Sequence, residues 1–322
     1  MNEKMKILLA YDGSSYAEAA IDDLKRAGLP REAEALIVSV GDVLMKPPPS
    51  SYEVVEQVLA SRRVTSAIVQ AQAQASKALE EAARLAAQAS ARVRSLFPEW
   101  TVRGEALAGT PARELIQKAD EWKPDLIVVG SQGRSALGRL ILGSVSKTVD
   151  TDSRYSVRVA RRAIEKRDDA PVRIIVGVDG SPTAERAVRA VGMRVWREGT
   201  EIRLISVDNG ASPTRIASIL PTAAAMIASD NEELAAKARQ MIEWAKEELR
   251  AIGLNVSAEI IKGEPVRVLV EEARKWEADA IFVGARGFSG TLERWRLGSV
   301  STGLVTNAPC SVEVVRATEE MS

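Results

Sequence analysis

LIVVGSQGRSALGRLILGSVS, from Leu126 to Ser146, and AIFVGARGFSGTLERWRLGSVS, from Ala280 to Ser301, are two copies of one pattern. Each opens as an apolar run of strand length and stops at a glycine, so a buried strand passes directly into a glycine-rich turn. Lacking a Cβ, such a turn lets main-chain N–H groups approach a ligand closely, which is how proteins hold phosphates. The copies are matched upstream by ILLAYDGS, Ile7 to Ser14, and IIVGVDGS, Ile174 to Ser181. The chain is a tandem duplication. Its 322 residues divide into two units near the common domain size of about 150 residues.

Apolar strand runs alternate with helix-length amphipathic stretches in both halves, a pattern that predicts an α/β fold with crossover connections and a parallel sheet. Five short strands per half are expected. In the first half they cover approximately Lys6 to Tyr11, Ala35 to Val40, Thr101 to Ala106, Asp125 to Val129 and Ser156 to Ala160. In the second they cover Arg173 to Val178, Glu201 to Val207, Asn255 to Ile261, Ala280 to Val283 and Ser311 to Val315. The charged segment Ala163 to Ala170, followed by Pro171, marks the boundary between units 1–163 and 171–318. Between Asp12 and Gly130 lie 118 positions, against 105 between Asp179 and Gly284. The 13 extra residues are expected in an alanine-rich helix over Thr65 to Phe97, which lacks Gly and Pro. The KPPPSS segment before it, Lys46 to Ser51, reads as an exposed loop, and a docking or lid role for this region stays open.

Composition removes several function classes. Forty-four basic and forty-four acidic side chains cancel, leaving no global field to attract nucleic acid or an anionic membrane. No run approaches the roughly 20 apolar residues of a membrane span, and with a single cysteine, Cys310, no intramolecular disulfide can form. A soluble cytoplasmic protein is expected. There is no histidine, so imidazole acid–base chemistry and imidazole metal ligation are unavailable. No phosphate-binding Gly-x-x-x-x-Gly-Lys motif, no Gly-x-Ser-x-Gly elbow and no zinc cluster appears. No catalytic residue and no metal ligand is assigned, and a binding module is expected over an enzyme.

If each glycine turn leaves a central strand beside the strand bearing Asp12 or Asp179, the parts sit where ligands of doubly wound sheets collect. Gly130 and Gly133 would turn backbone N–H groups toward an anion. Gly143 and Ser144 would open a helix whose unpaired amides favour negative charge, with the Ser144 and Ser146 hydroxyls as further donors. An ionised Asp12 only accepts hydrogen bonds, so it suits a ribose hydroxyl or an adenine amino group rather than phosphate. Each feature also has a purely structural explanation. Asp-Gly-Ser makes turns and N-caps without any ligand, and Gly-Ser can simply start a helix. Arg134, Arg139, Arg286, Arg294 and Arg296 could neutralise phosphates or be ordinary surface charge, and Trp295 could touch a base or pack. Cys310 reads as a small core residue.

The run of glycine, two residues, glycine, nine residues, glycine and serine at Gly130, Gly133, Gly143 and Ser144 resembles the signature of the universal stress protein family, specifically its ATP-binding branch. The likeness covers almost the whole chain, twice. It implies two tandem doubly wound domains, each a five-stranded parallel sheet with helices on both faces, Rossmann-like and akin to the adenine nucleotide alpha hydrolases. It further implies that Asp12 and the Val40 backbone hold adenosine, while Val129, Gly130, Gly133, Gly143, Ser144, Val145 and Ser146 surround ribose and phosphates. The second-half counterparts are Asp179, Val207, Val283, Gly284, Gly287, Gly298, Ser299, Val300 and Ser301. The cofactor implied is ATP, with magnesium carried by the nucleotide. In the second copy ten residues, not nine, separate Gly287 from Gly298, and the extra residue is expected to tilt one turn away from the other.

Two functions follow as expectations: an ATP-binding stress-response or signalling module with at most weak ATPase activity, or a nucleotide-independent adaptor that recruits protein partners. Single-domain relatives pair about a two-fold axis. The similar strands SVRVA and SVEVV therefore suggest an intrachain pseudo-dimer, with further homodimerisation open.

Overall fold

The computed structural model describes residues 4–43, 62–133, 142–161, 170–208, 221–286 and 298–317. The first half runs β1 (Met5–Ala10), α1 (Ser15–Asp23), β2 (Ala33–Asp42), α2 (Arg62–Leu96), β3 (Thr101–Gly109), α3 (Pro111–Trp122), β4 (Leu126–Gly130), α4 (Ser144–Asp152) and β5 (Ser156–Ala160). The second repeats that order as β6 (Arg173–Gly177), α5 (Pro182–Gly192), β7 (Glu201–Asp208), α6 (Pro221–Ala251), β8 (Asn255–Lys262), α7 (Pro265–Lys275), β9 (Ala280–Gly284), α8 (Ser299–Asn307) and β10 (Ser311–Val315). All ten strands form one sheet in the order β3-β2-β1-β4-β5-β10-β9-β6-β7-β8. Every neighbouring pair is parallel except β5 with β10, which run antiparallel and join the halves with Arg158 opposite Glu313.

The expected strands are all present: β2 and β3 run three or four residues longer than expected, β7, β8 and β9 one longer, β6 one shorter, and the rest keep their length within a one-residue shift. The central ones are continuous β-branched and aliphatic runs buried on both faces, as parallel strands covered by helices must be. One core lies under α3, α4, α7 and α8 and runs unbroken across the seam, with Val157, Val159, Val312 and Val314 at its centre. On the opposite face the core is split in two. Ile7, Leu9 and Ile37 pack under α1 and α2, and Ile174, Val176 and Phe282 pack under α5 and α6.

Charge fills the gap between those two cores. The alternation of strand side chains that sends Val157 and Val159 to one face sends Arg158 to the other, where its side chain is fully buried. Its guanidinium donates to both Asp23 carboxylate oxygens, at 2.6 and 3.1 Å, and to Glu313 at 3.2 Å. Arg194 meets the other Glu313 oxygen at 2.5 Å, and the Ser311 hydroxyl donates to Asp23 at 2.8 Å. Both guanidiniums lie 5.9 Å from the Phe282 ring centroid. Burial works against the Arg158 charge, but Asp23 and Glu313 more than offset it, so its pKa is pushed up. At the rim Arg26 grips Asp279 through two 2.9 Å contacts. Gly28, at φ +63°, lies so close under the Trp196 ring that a Cβ would stand 2.7 Å from it.

The long helices correct one expectation. The second half has its own, α6 with 31 residues, against 35 in α2. Most of the extra first-half length therefore precedes the helix, between Asp42 and Arg62. The KPPPSS loop lies outside the described residues. Among the described residues no helix is long and apolar enough to cross a membrane.

Candidate functional site

In each half the chain leaves β1 (or β6) toward one edge and returns on its other side as β4 (or β9), so the strand order reverses between those two strands. Carboxyl-terminal turns diverge at such a point and open a crevice. Asp12 follows β1 and Gly130 ends β4, so both flank it. β1 pairs with β2 only as far as Ala10 with Val38, and the Tyr11 N–H closes the pairing on the Val38 carbonyl at 2.9 Å. Val40, half-buried, thus runs past the end of β1 at the crevice mouth. Val207 stands in the same relation to β6.

Asp12 does two things. Its Oδ1 accepts the Ser14 N–H at 2.9 Å, a turn made possible by Gly13 at φ +78°. Ser14 then caps α1 by accepting the Ala17 N–H at 3.1 Å. Oδ2 faces the other way: a Cβ on Gly133 would stand 3.0 Å from it. The absent side chain at Gly133 therefore sets main chain directly beside the carboxylate. A Cβ on Gly143 would lie 3.2 Å from Gln132 Cα and 3.4 Å from Gly133 N, so the second turn stacks on the first. One hydrogen bond fixes that stacking, Gly143 N–H to Ser131 O at 2.9 Å, while Ser131 N–H is tied to Ala160 O at 2.9 Å.

α4 starts from this stack with no side-chain cap on its first turn, unlike α1, α5 and α7, which Ser14, Ser181 and Glu264 cap. The amides of Ser144, Val145 and Ser146 begin a helix whose positive end lies at the crevice. Ser144 is exposed, Val145 half-buried and Ser146 buried, and Ser299, Val300 and Ser301 repeat that gradient at the start of α8.

The hydrogen bonds give several of these residues structural duties. The Ser146 hydroxyl is not a free donor, because it donates to Gly130 O at 2.5 Å and ties helix to strand. Ser301 likewise reaches Ala285 O at 3.1 Å and Gly298 O at 3.0 Å. Gly130 has a packing role. It stands in register with Ala160 in the sheet, and a Cβ there would sit 2.8 Å from Tyr16 O, so the missing side chain lets α1 pack on β4. Gly143 spends its amide on Ser131 and contributes closeness instead. Val129 and Val283 bury their side chains in the core and contribute main chain only.

The second half rebuilds the frame. Asp179 Oδ1 accepts the Ser181 N–H at 2.9 Å, and Gly298 N–H donates to Ala285 O at 2.8 Å. Ala285 N–H is tied to Val315 O at 3.0 Å. These anchors match the first half's, so the extra residue of the second copy falls inside the loop between them. Gly287, Arg294, Trp295 and Arg296, with Arg134 and Arg139 of the first loop, lie outside the described residues. Among the described residues the mouths also differ beside the glycine that ends β4 or β9. Thr183 occupies the position of Tyr16, and its short aliphatic hydroxyl donates to the Arg286 carbonyl. Gly284 is correspondingly tighter, its Cβ falling 2.5 Å from Thr183 C. Nothing in the sequence pattern marked Ser131, Ala285 or Thr183, because each acts through a main-chain partner.

Among the described residues no group of three or more His, Cys, Asp or Glu is placed to hold a metal ion. Cys310 is buried in the shared core, and burial pushes its thiol up to about 12, which leaves it inert.

Comparison with known proteins agrees with this architecture. The profile of the universal stress protein family matches residues 4–161 and again 172–316. A universal stress protein of Mycolicibacterium smegmatis is 28% identical over 244 residues, 74% of this chain and 76% of that protein. One from Mycobacterium tuberculosis is 30% identical over 219 residues, 67% of this chain and 69% of its own length. Among solved structures, a universal stress protein from Archaeoglobus fulgidus covers 99% of this chain and 98% of its own at a TM-score of 0.62 and 20% identity, a likeness of fold.

Proposed function

Because the chain belongs to the universal stress protein family, we propose that it binds an adenine nucleotide, ATP with its magnesium, in one or both halves and uses occupancy as a stress-response or signalling state. One observation carries this reading: the Asp12 carboxylate, the Gly133 main chain and the uncapped start of α4 meet with no Cβ between them. An acceptor-only group beside open amides suits a ligand with hydroxyl or amino donors at one end and anionic oxygens at the other. A nucleotide has that polarity. Val40 and Val207 would contribute main chain to the base, and Ser144, Val145, Ser299 and Val300 would contribute amides to the phosphates. We place the protein in the cytoplasm, a reading supported by its one buried thiol.

Thermal unfolding tests this. A ligand selective for the native state raises stability by RT ln(1 + [L]/Kd), about 2.7 kcal/mol at a hundredfold excess over Kd. ATP with magnesium should raise Tm, and GTP should raise it less. A second reading, a nucleotide-independent adaptor that recruits proteins, draws on the Thr183 tie, which stabilises the second loop without any ligand. No shift with any nucleotide selects it.

A further inference from the structure

Because β5 and β10 run antiparallel, the two candidate crevices open at opposite edges of the sheet, yet each unit reaches into the other at equivalent positions. Arg161 is the residue after β5 and Arg316 the residue after β10. Because those strands are antiparallel, each arginine emerges beside the start of the opposite strand. Arg161 N–H donates to the Ser311 hydroxyl and Arg316 N–H to the Ser156 hydroxyl, both at 3.1 Å. The side chains continue across the seam. Arg161 donates to the carbonyls of Val305 and Thr306 at 2.8 Å each, in the last turn of α8. Arg316 donates to the carbonyls of Asp150, in the last turn of α4, and of Tyr155, the latter at 3.1 Å. It also stands 3.6 Å from the Asp150 carboxylate.

These are not arbitrary helices. α4 and α8 are the ones whose opposite ends, Ser144 to Ser146 and Ser299 to Ser301, open the two crevices. Each has nine residues, so roughly 14 Å separates the gripped end from the open one. The last carbonyls of a helix have no intrahelical partner and carry the negative end of its dipole, where a cation is favoured. Arginine stays charged even when buried, and Arg316 is nearly enclosed, with 7% of its side chain exposed.

We infer that Arg161 and Arg316 are reciprocal positioning residues, each holding from one half the helix that presents anion-binding amides in the other half. The inference rests on the nucleotide reading above and adds a coupling that reading does not contain. Loss of one arginine frees the far end of a short helix and removes a charge that stabilises its dipole. The site that suffers is the one in the half that does not contain the mutation.

Hydrogen–deuterium exchange of the full chain, resolved by peptide during an ATP titration, reads each helix separately. Arg161→Gln should shift the midpoint of ATP protection in peptides covering α8 about three- to fivefold toward weaker binding and leave α4 in place, the size expected of one charge at a helix end. Arg316→Gln should do the mirror image. Arg161→Lys, which keeps the charge, should recover most of the loss. Equal shifts in both helices, or a shift confined to the mutated half, would overturn the inference. If ATP protects neither helix of the unmodified protein, the nucleotide reading fails. The clamp is then judged on the ATP-free protein, where Arg161→Gln must speed exchange in α8 and not in α4, and unchanged exchange would sink it.

Discussion

The first half and the second half share a scaffold and part company at its edges. Strand order, the Asp-Gly-Ser turn, the stacked glycine turns and the uncapped helix start recur with hydrogen bonds of nearly the same length. The differences cluster where one half meets the other or where the crevice opens: Arg158 against Glu313, Tyr16 against Thr183, Asp150 against Val305. A duplicated fold can keep its sheet while its contact residues specialise, because the buried strands tolerate little and the seam need no longer be self-complementary. In a symmetric pair of first halves, Arg158 would face Arg158; here it faces a carboxylate.

The largest effect should come from breaking that asymmetric seam. Arg158→Met leaves Asp23 and Glu313 buried without their shared partner and should cost about 3 to 5 kcal/mol of unfolding free energy. Chemical denaturation measures it, and a cost under about 1 kcal/mol would mean the charges are solvated. Next come the packing glycines. Gly284→Ala and Gly130→Ala both push a Cβ into the backbone of the first turn of the helix packed on that strand, α5 and α1 respectively, and each should cost about 1 to 3 kcal/mol. The second-half variant should be the worse, since its closest approach is 2.5 Å against 2.8 Å. Equal or reversed costs would erase this distinction between the mouths.

A pH-dependent difference should follow. Asp150 has no carboxyl counterpart in α8, and burial raises its pKa to about 6, against the opposing pull of Arg316. A folded pKa above the unfolded value means stability that is present at low pH and lost as pH rises through about 6. Asp150→Asn should therefore raise stability by about 1 to 2 kcal/mol at pH 8, and the gain should shrink as pH falls toward the ordinary carboxyl value. Tm measured across that range decides the sign. The smallest effect belongs to Thr183→Val, which removes the hydroxyl from the Arg286 carbonyl and should cost about 1 kcal/mol. Urea unfolding would register it, and no loss would mean the tie is dispensable.

Much of this was legible in the sequence, and the rest was hidden for identifiable reasons. The ends of β5 and β10 can be read from SVRVA and SVEVV because β-branched residues flanked by turn residues leave little choice. The meeting of Asp12 with Gly133 follows from spacing combined with the reversal of strand order. The 31 residues of α6 were missed because the length comparison weighed only one helix against a loop. Arg158 gave no warning, since a charge in mid-strand ordinarily faces water and becomes a core residue only when another unit covers it. The roles of Gly130 and Ser146 were invisible for a related reason. Glycine and serine in a ligand-binding pattern look the same whether they touch the ligand or brace the turn that does.

On the proposed reading, main chain at Gly133 and the opening of α4, beside Asp12, receives a nucleotide. The most direct test is equilibrium dialysis of the full chain against ATP and magnesium, comparing the unmodified protein with Gly133→Leu, whose side chain would fill the space facing Asp12. The unmodified protein should retain ATP, and the variant, still folded by circular dichroism, should lose the first-half equivalent of it. Retention by Gly133→Leu equal to that of the unmodified protein, or no retention by either at millimolar ATP, would contradict the claim.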